Sequence, residues 1–409
     1  MRILLIAGSD LQGGAHRSAF RLHRALERVG ADSNLLVVRK FSDDESTREF
    51  TPAELGFPPG MRGHLDKVPD LFLRKRHELM SLGLLGVDIH SIVQALQPDI
   101  LHLHWVNGGV IRIETLETLP VPVMWTFHDM WTFTGGCHYS EKCEKYRNDC
   151  CQCPKIRQFL GSDRLSSWVH ARKRRHWTER RKFGIAPSKW IGEKARQSSL
   201  FSSADIREIP YCIDSSIFNV LGRAAARKAL GLEEREVVVL FVGANQDRKG
   251  AKFISEIVAL IARNITRDCR FLFAGGSPPD MCLSKEPLDL PPTTEESVMA
   301  GYYAAADIFI LPSLEDNLPN TVIESLSCGT PVVAFPTGGI CEMIDPGVNG
   351  DISAAHTAES LASAAVRILK DPAINRATIS SNAHGAYSEP VVAEAHLAFY
   401  RSAITQPPT

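Results

Sequence analysis

Four short segments carry side chains that could do chemistry, and each lies just after a run of β-forming residues. The richest is Ser313-Leu314-Glu315-Asp316-Asn317-Leu318-Pro319-Asn320-Thr321-Val322-Ile323-Glu324. The pattern predicts a helix from about Asn320 to Cys328, stopped by Gly329 as a C′ glycine. Glu324 then stands about one turn inside the helix, where a carboxylate can accept both hydroxyls of a ribose. Asp316 lies in the preceding loop, where it can accept sugar hydroxyls. The helix start between them, next to Asn317, offers N–H donors to a phosphate. The plainer reading is an acidic pair favoured by the helix dipole.

The segment Gly243-Ala244-Asn245-Gln246-Asp247-Arg248-Lys249-Gly250 puts two cations, Arg248 and Lys249, at the carboxyl end of a buried strand. Open α/β sheets bind ligands there, and a departing diphosphate needs such charge in the transition state. A solvated loop with two exposed cations is the alternative. Gly13-Gly14-Ala15 follows the first strand; glycine permits a sharp turn and close backbone approach, and the helix start makes an anion site. The full G-x-G-x-x-G of a dinucleotide site is missing. His128-Asp129 follows the strand Val123–Phe127, where a histidine can bond a sugar hydroxyl or position reacting groups; a satisfied structural histidine is the rival reading.

These segments need a scaffold of alternating strands and helices. Ile3–Ile6 is a β-rich run, and Ala15 to about Arg28 carries apolar residues at helical spacing. Leu35–Val38, Ile100–His104 and Val121–Phe127 read as further strands, with a helix near Ile89–Leu96 and a poorly patterned excursion over 42–80. The pattern restarts at Val237–Val242, continues through strands at Phe271–Ala274, Ile308–Leu311 and Pro331–Phe335, and includes a helix over about Glu295–Ala305. Such alternation predicts parallel sheets covered on both faces, an α/β fold. A linker is expected near 215–235.

At 409 residues the chain is long enough for two domains. We expect residues 1–215 as the first, with a Cys-rich insertion at about 130–155, and 216–388 as the second. A last helix within 389–409, about Pro390–Ala403, is expected to cross back to the first. Hydrophobic residues make up 44% and charged ones 23%, as in soluble proteins with full-sized cores. The net charge of −1 gives no general attraction to nucleic acid. No run of about 18 apolar residues occurs, so no membrane-spanning helix is expected and the working compartment is read as cytoplasmic.

Together the motifs resemble the retaining, family-4-like glycosyltransferases of the GT-B fold, in which two Rossmann-like domains face each other across a cleft. The resemblance is strongest over Tyr303-Ala304-Ala305-Ala306-Asp307-Ile308-Phe309-Ile310-Leu311-Pro312-Ser313 and over Glu324-Ser325-Leu326-Ser327-Cys328-Gly329-Thr330-Pro331-Val332-Val333-Ala334. Gly338-Gly339 and Glu342 extend it. It implies a nucleotide-diphosphate sugar donor, UDP- or GDP-linked, held mainly by the second domain. Glu324 matches the second glutamate of the family's E-x7-E motif, on the ribose. Asp316 takes the first glutamate's place, one methylene shorter. Lys249 matches the phosphate-contacting lysine; the usual arginine falls on Ala244 or Asn245, leaving Arg248 as a substitute. Gly14 matches the glycine facing the donor phosphate, and His128 the histidine near the transferred sugar. In Ile209-Pro210-Tyr211-Cys212-Ile213-Asp214, which leads between the domains, Tyr-Cys replaces the usual Asn-Gly. Retention of anomeric configuration by front-face transfer is implied, with no metal needed for transfer. The acceptor would be a glycan or a lipid-linked sugar of bacterial surface polysaccharide synthesis. A nucleotide-sugar epimerase and a non-catalytic sugar-nucleotide-binding subunit are the competing readings.

Five of the ten cysteines fall within 17 residues. Cys137, Cys143, Cys150 and Cys153 offer four thiolates, the number a structural zinc takes, with Cys151 and His138 to spare. An iron–sulfur cluster and unligated thiols are the alternatives. The insertion resembles one found in a subset of bacterial polysaccharide glycosyltransferases. The stretch Arg172-Lys173-Arg174-Arg175-His176-Trp177, followed by Arg180-Arg181-Lys182, would suit anionic lipid at a membrane surface, or form a solvated helix face. Trp105 and Asn107 either line the acceptor side or pack inside.

Overall fold

The computed structural model describes residues 1–56, 65–66, 80–156, 164–177, 182–243, 247–277 and 285–405. They form two compact units, Met1–Cys212 with Val392–Thr409, and Ile213–Val391.

In the first unit, strands β1 (Arg2–Ser9), β2 (Asp32–Arg39), β3 (Thr47–Glu49), β4 (Ile100–His104), β5 (Val123–Thr126), β6 (Phe183–Ala186) and β7 (Asp205–Glu208) form one sheet. Its order is β3-β2-β1-β4-β5-β6-β7, and all six pairings are parallel. Side chains alternate between faces along a strand. Ile3, Leu5 and Ala7 of β1 join one core with Leu22 and Leu26 of the helix Gly14–Arg28, while Leu4 and Ile6 join another with Leu101 and Leu103. Both faces are therefore covered, as a parallel sheet requires. Strands β3, β6 and β7 go beyond the elements the sequence suggests, β3 within the stretch read as an excursion. They are three or four residues long, and Asp205-Ile206-Arg207-Glu208 at the sheet edge has little apolar signal. The C-terminal helix Glu389–Ile404 packs Val392, Leu397, Tyr400 and Ala403 into the core that holds Ile3 and Leu5.

In the second unit, β8 (Val237–Val242), β9 (Cys269–Ala274), β10 (Leu288–Leu290), β11 (Ile308–Leu311), β12 (Val332–Ala334) and β13 (Gly350–Ile352) form a sheet of order β10-β9-β8-β11-β12-β13. Again every pairing is parallel. The helices Ala251–Asn264 and Ala358–Lys370 cover one face through Ile254, Ile257, Ile261, Leu361 and Ala365. The stretch 215–235, expected as a linker, instead holds the helix Arg223–Ala229. Its buried Arg227 donates to the carbonyls of Ala305, Glu233 and Glu236 and pairs with Asp307, so the segment is part of this unit.

Both sheets reverse their winding direction at the centre, between β1 and β4 and between β8 and β11. At such a point the two connecting segments leave in opposite directions and open a crevice beyond the carboxyl ends of the strands.

Candidate functional site

In the second unit the segments flanking that crevice are the two picked out for their charge. After β8 the chain makes a short 3-10 turn, Asp247–Lys249. Gly250 follows with φ +80°, and a Cβ there would meet the Pro312 carbonyl oxygen at 2.0 Å. Only glycine lets this loop lie against the loop that follows β11. The approach is tied by a hydrogen bond from the Leu314 N–H to the Arg248 carbonyl, 2.9 Å. It brings Lys249 Nζ to 2.6 Å from Asp316 Oδ2, while Arg248 donates to the Glu315 carbonyl at 2.6 Å and lies 3.5 Å from the same carboxylate. Burial by itself would raise the Asp316 pKa. Lys249 and then Arg248, with the Asn317 N–H, outweigh it and hold the carboxyl below its ordinary value. Asn317 is buried beside it. Ala244 and Asn245 lie outside the described residues.

Pro319 caps the helix Asn320–Ser327, and Gly329 ends it with φ +71°, donating to the Leu326 carbonyl. Glu324, on the second turn, is 2% exposed, and Tyr303 Oη donates to its Oε2 at 3.0 Å. Tyr303 stands in the quoted motif with no role assigned from sequence; the fold reveals it as the group that orients Glu324. Ser313 is also buried, and its hydroxyl has no hydrogen-bond partner among the described residues.

In the first unit the positive φ belongs to Gly13, at +90°, and Gly14 opens the helix Gly14–Arg28 as an exposed residue. Beyond β5, His128 is buried at the end of a row of imidazoles. Its Nε2 shares a hydrogen bond with His104 Nδ1 (3.0 Å). His104 Nε2 meets His102 Nδ1 (3.2 Å), and that nitrogen also meets Tyr400 Oη (2.6 Å). Tyr211 stacks on His128 with planes 18° apart and bonds its Nδ1 at 2.9 Å. This gives a structural reason for a tyrosine at position 211. The row was half legible: His102 and His104 alternate onto one face of β4, and His396 and Tyr400 share one helix face.

Burial keeps these rings neutral. It pushes His128 down to about 3 and His396 to about 4, and His102 and His104 lie well below the usual range, with neighbouring histidines pushing the same way. For each, the unfolded chain takes a proton more readily than the folded one between the folded value and about 6.5. Stability is therefore lost as pH falls through that window and kept above it. We expect urea unfolding of this unit to weaken between pH 7.5 and 5.5 by about 1 kcal/mol per histidine. His396→Leu should flatten the dependence, and equal unfolding midpoints at the two pH values would contradict the assignment.

Beside His128, Asp129 organises a second group. Its Oδ2 accepts from Trp105 Nε1 (2.8 Å) and meets His138 Nδ1 (2.6 Å), and its Oδ1 accepts from the Trp131 N–H (2.8 Å). Burial opposes its ionisation, but His138 and these donors keep its pKa low. Trp105 is half-buried at φ +46°, a conformation bulky residues avoid, and His16 meets its ring edge-on at 5.2 Å. Asn107 is 3% exposed, and its Nδ2 has no partner among the described residues. Trp105 and Asn107 follow β4, so they flank the crevice of this sheet.

The Cys-rich insertion packs beneath this group. Cys150 is buried, Cys137, Cys143 and Cys153 are half-buried, and Cys151 is exposed. The basic stretch is not a uniform cationic face. In the helix Leu165–Trp177, Arg172 pairs with Glu114 and donates to the Leu82 carbonyl, Lys173 is buried, His176 meets Glu117, and Trp177 donates to the Ile113 carbonyl. Arg174 and Arg175 face outward. Arg180 and Arg181 lie outside the described residues.

Comparison with known proteins follows the same division. The family model "Glycosyltransferase Family 4" matches residues 12–217, half of the chain, and "Glycosyl transferases group 1" matches 236–371. Among solved structures, sucrose-phosphate synthase from Thermosynechococcus elongatus superposes with a TM-score of 0.68 over 98% of each chain at 19% identity. Anabaena Alr3699/HepE, in complex with UDP-glucose, gives 0.62 over 98% of this chain and 100% of its own at 15%. The fold is thus GT-B, two Rossmann-like domains. The chain belongs to glycosyltransferase family 4. A D-inositol 3-phosphate glycosyltransferase from Mycobacterium sp. (strain KMS) is 33% identical over 41% of this chain, and the match spans 42% of that protein's length. The protein of that name from Pseudarthrobacter chlorophenolicus is 25% identical over 90% of this chain and 84% of its own.

Proposed function

We propose that this chain is a retaining glycosyltransferase that moves a hexose from a UDP- or GDP-sugar to a glycan or lipid-linked acceptor, in the manner of surface polysaccharide synthesis. The observation that carries the reading is the Lys249–Asp316 pair at the crevice of the second sheet, on the loop that runs into the helix bearing Glu324. In this reading Glu324, oriented by Tyr303, accepts the ribose hydroxyls. Lys249, Arg248 and the start of the helix at Asn320 take the diphosphate, and Asp316, next to Asn317, holds the sugar while tethering Lys249. In the first unit, Gly14 and His128 are the residues to which the family resemblance would assign donor contacts.

The bond from the anomeric carbon to the diphosphate oxygen breaks, and a bond to the acceptor oxygen forms on the same face. The acceptor proton passes to the leaving phosphate. Positive side chains and amides stabilise the developing diphosphate charge without a metal. Trp105 and Asn107 belong to the acceptor side. Trp168, 43% exposed, and Arg175 on the same helix face suit peripheral contact with a membrane; among the described residues no helix is long and apolar enough to cross one. The UDP-glucose bound by the Anabaena neighbour supports a nucleotide-sugar donor.

Thermal denaturation with UDP-, GDP-, ADP- and dTDP-sugars tests this. A donor at about 100 times its Kd stabilises the folded form by about 2.7 kcal/mol, a rise of several degrees that should be confined to one base and lost in Glu324→Ala. A folded protein whose midpoint no nucleotide sugar moves would refute the reading.

A further inference from the structure

We propose that Cys137, Cys143, Cys150 and Cys153 bind one structural zinc ion as a tetrathiolate, with Lys173 as a counter-charge. The four thiols come from one short insertion: Cys137 forms a backbone bridge with Met80, Cys153 packs on the cluster of Met80 and Ile156, and Cys150 Sγ meets the N–H of Gly135, two residues before Cys137. The backbone there bends against ordinary preference. Cys150 has φ +57° and Gln152 +47°, a left-handed pair of turns without glycine, just before Cys153. The Gly135 N–H donates to Cys150 Sγ at 3.2 Å. A Cβ at Gly135 would meet the Ser166 carbonyl oxygen at 2.3 Å and Cys150 Cβ at 2.8 Å, so glycine is what lets Cys150 close onto the helix Leu165–Trp177.

Lys173 supplies the independent observation. It is 0% exposed, donates to the carbonyls of Trp131 and Thr134, and sits 3.6 Å from the centre of the Trp131 ring. Among the described residues it has no carboxylate within ion-pair distance. Asp129, two residues before Trp131, is already engaged by His138, Trp105 and Trp131. A dry ammonium calls for a nearby anion. Its acceptor Thr134 donates its hydroxyl to the Cys137 carbonyl and precedes Gly135, whose N–H meets Cys150 Sγ, so these two cysteines adjoin it. Zinc(II) binding to four thiols releases four protons and leaves a site of net charge −2, of which Lys173 offsets one.

No three of the sulfurs stand within 4.8 Å of one another. Zinc–sulfur bonds of about 2.3 Å bring tetrahedral thiolates to about 3.8 Å, so the loop draws in on binding. The residues that do meet that spacing, His23, Glu27 and Asp44, are a poorer site. The Arg24 guanidinium already bonds both carboxylates, and Ser33 holds His23 Nδ1. His138, next to Cys137, holds Asp129 and through it Trp105, so the metal would stiffen that group without entering the transfer chemistry.

Full-length protein, purified without a histidine tag, should contain about one zinc per chain by elemental analysis. The four thiols should resist Ellman's reagent until a chelator is added. Cys150→Ser and Cys153→Ser should lose the metal, and Cys151→Ser should keep it. Lys173→Met should release zinc to a competing chelator at least about tenfold more readily. Folded wild-type protein with less than about 0.1 zinc per chain would overturn the proposal. So would iron with visible absorption, or equal zinc in Cys150→Ser and Cys151→Ser. Metal content is read apart from glycosyl transfer, so failure here and failure of the proposed activity are distinguishable.

Discussion

Glu324→Ala should lower kcat/KM for the nucleotide-sugar donor by about 10²- to 10⁴-fold, with most of the loss in donor affinity. A carboxylate accepting two ribose hydroxyls makes two charge-assisted hydrogen bonds, each contributing about 1.5–3 kcal/mol, and every 1.4 kcal/mol is about tenfold. Glu324 is buried and its Oε2 is fixed by Tyr303 Oη, so the group is held in place before the ligand arrives. The same bond exposes the variant to a structural side effect. Alanine removes the acceptor that Glu324 offers this buried hydroxyl, at about 1–3 kcal/mol. Thermal midpoints must therefore accompany the kinetics, and Glu324→Gln, which keeps an acceptor for Tyr303, should lose affinity with less loss of stability. Near-normal donor KM in a folded Glu324→Ala protein would remove this residue from the donor site.

Lys249→Ala should cut kcat by about 10²–10³-fold, the usual consequence of removing one donor to charge that develops in the transition state. Its effect on donor KM should be smaller than that of Glu324→Ala. Lys249 also holds Asp316, at 2.6 Å. Without it, burial acts on the carboxyl opposed only by Arg248, 3.5 Å away, and by the Asn317 N–H, so the Asp316 pKa should rise. Removing one partner of a buried pair costs more than removing both. The double variant Lys249→Ala/Asp316→Asn should thus regain stability over Lys249→Ala without regaining activity. A Lys249→Ala enzyme with kcat within a few-fold of normal would pass the phosphate role to Arg248.

Much of the scaffold can be read from alternation. Long buried strands such as Val237–Val242 and Ile308–Leu311 announce themselves as β-branched or apolar runs, and the helix Asn320–Ser327 is bounded by Pro319 and Gly329. Short edge strands such as β7 and β13 escape because four or three residues with one polar face carry no periodicity. The basic stretch misleads for a related reason. Composition counts charge without direction, and here Arg172 and His176 turn toward carboxylates while Lys173 turns into the core.

Among the site residues, Glu324, Lys249 and Asp316 are legible because strand–loop–helix order is local. A carboxylate one turn into a helix or a cation beyond a buried strand is defined by its own neighbours in the chain. Pairings across the fold are another matter. Asp316 meets Lys249, 67 positions away, only because β11 lies against β8 and Gly250 admits the Pro312 carbonyl. Tyr400 reaches His102, 298 positions away, only because the last helix packs on the first sheet. The sequence by itself determined the two-part α/β plan and the chemical types of the groups at the crevice of the second sheet, since these depend on local pattern. Tertiary structure alone decided which charges neutralise one another, which histidines stay unprotonated and which lysine is buried, because those properties arise from contacts and solvent exclusion between segments far apart in the chain.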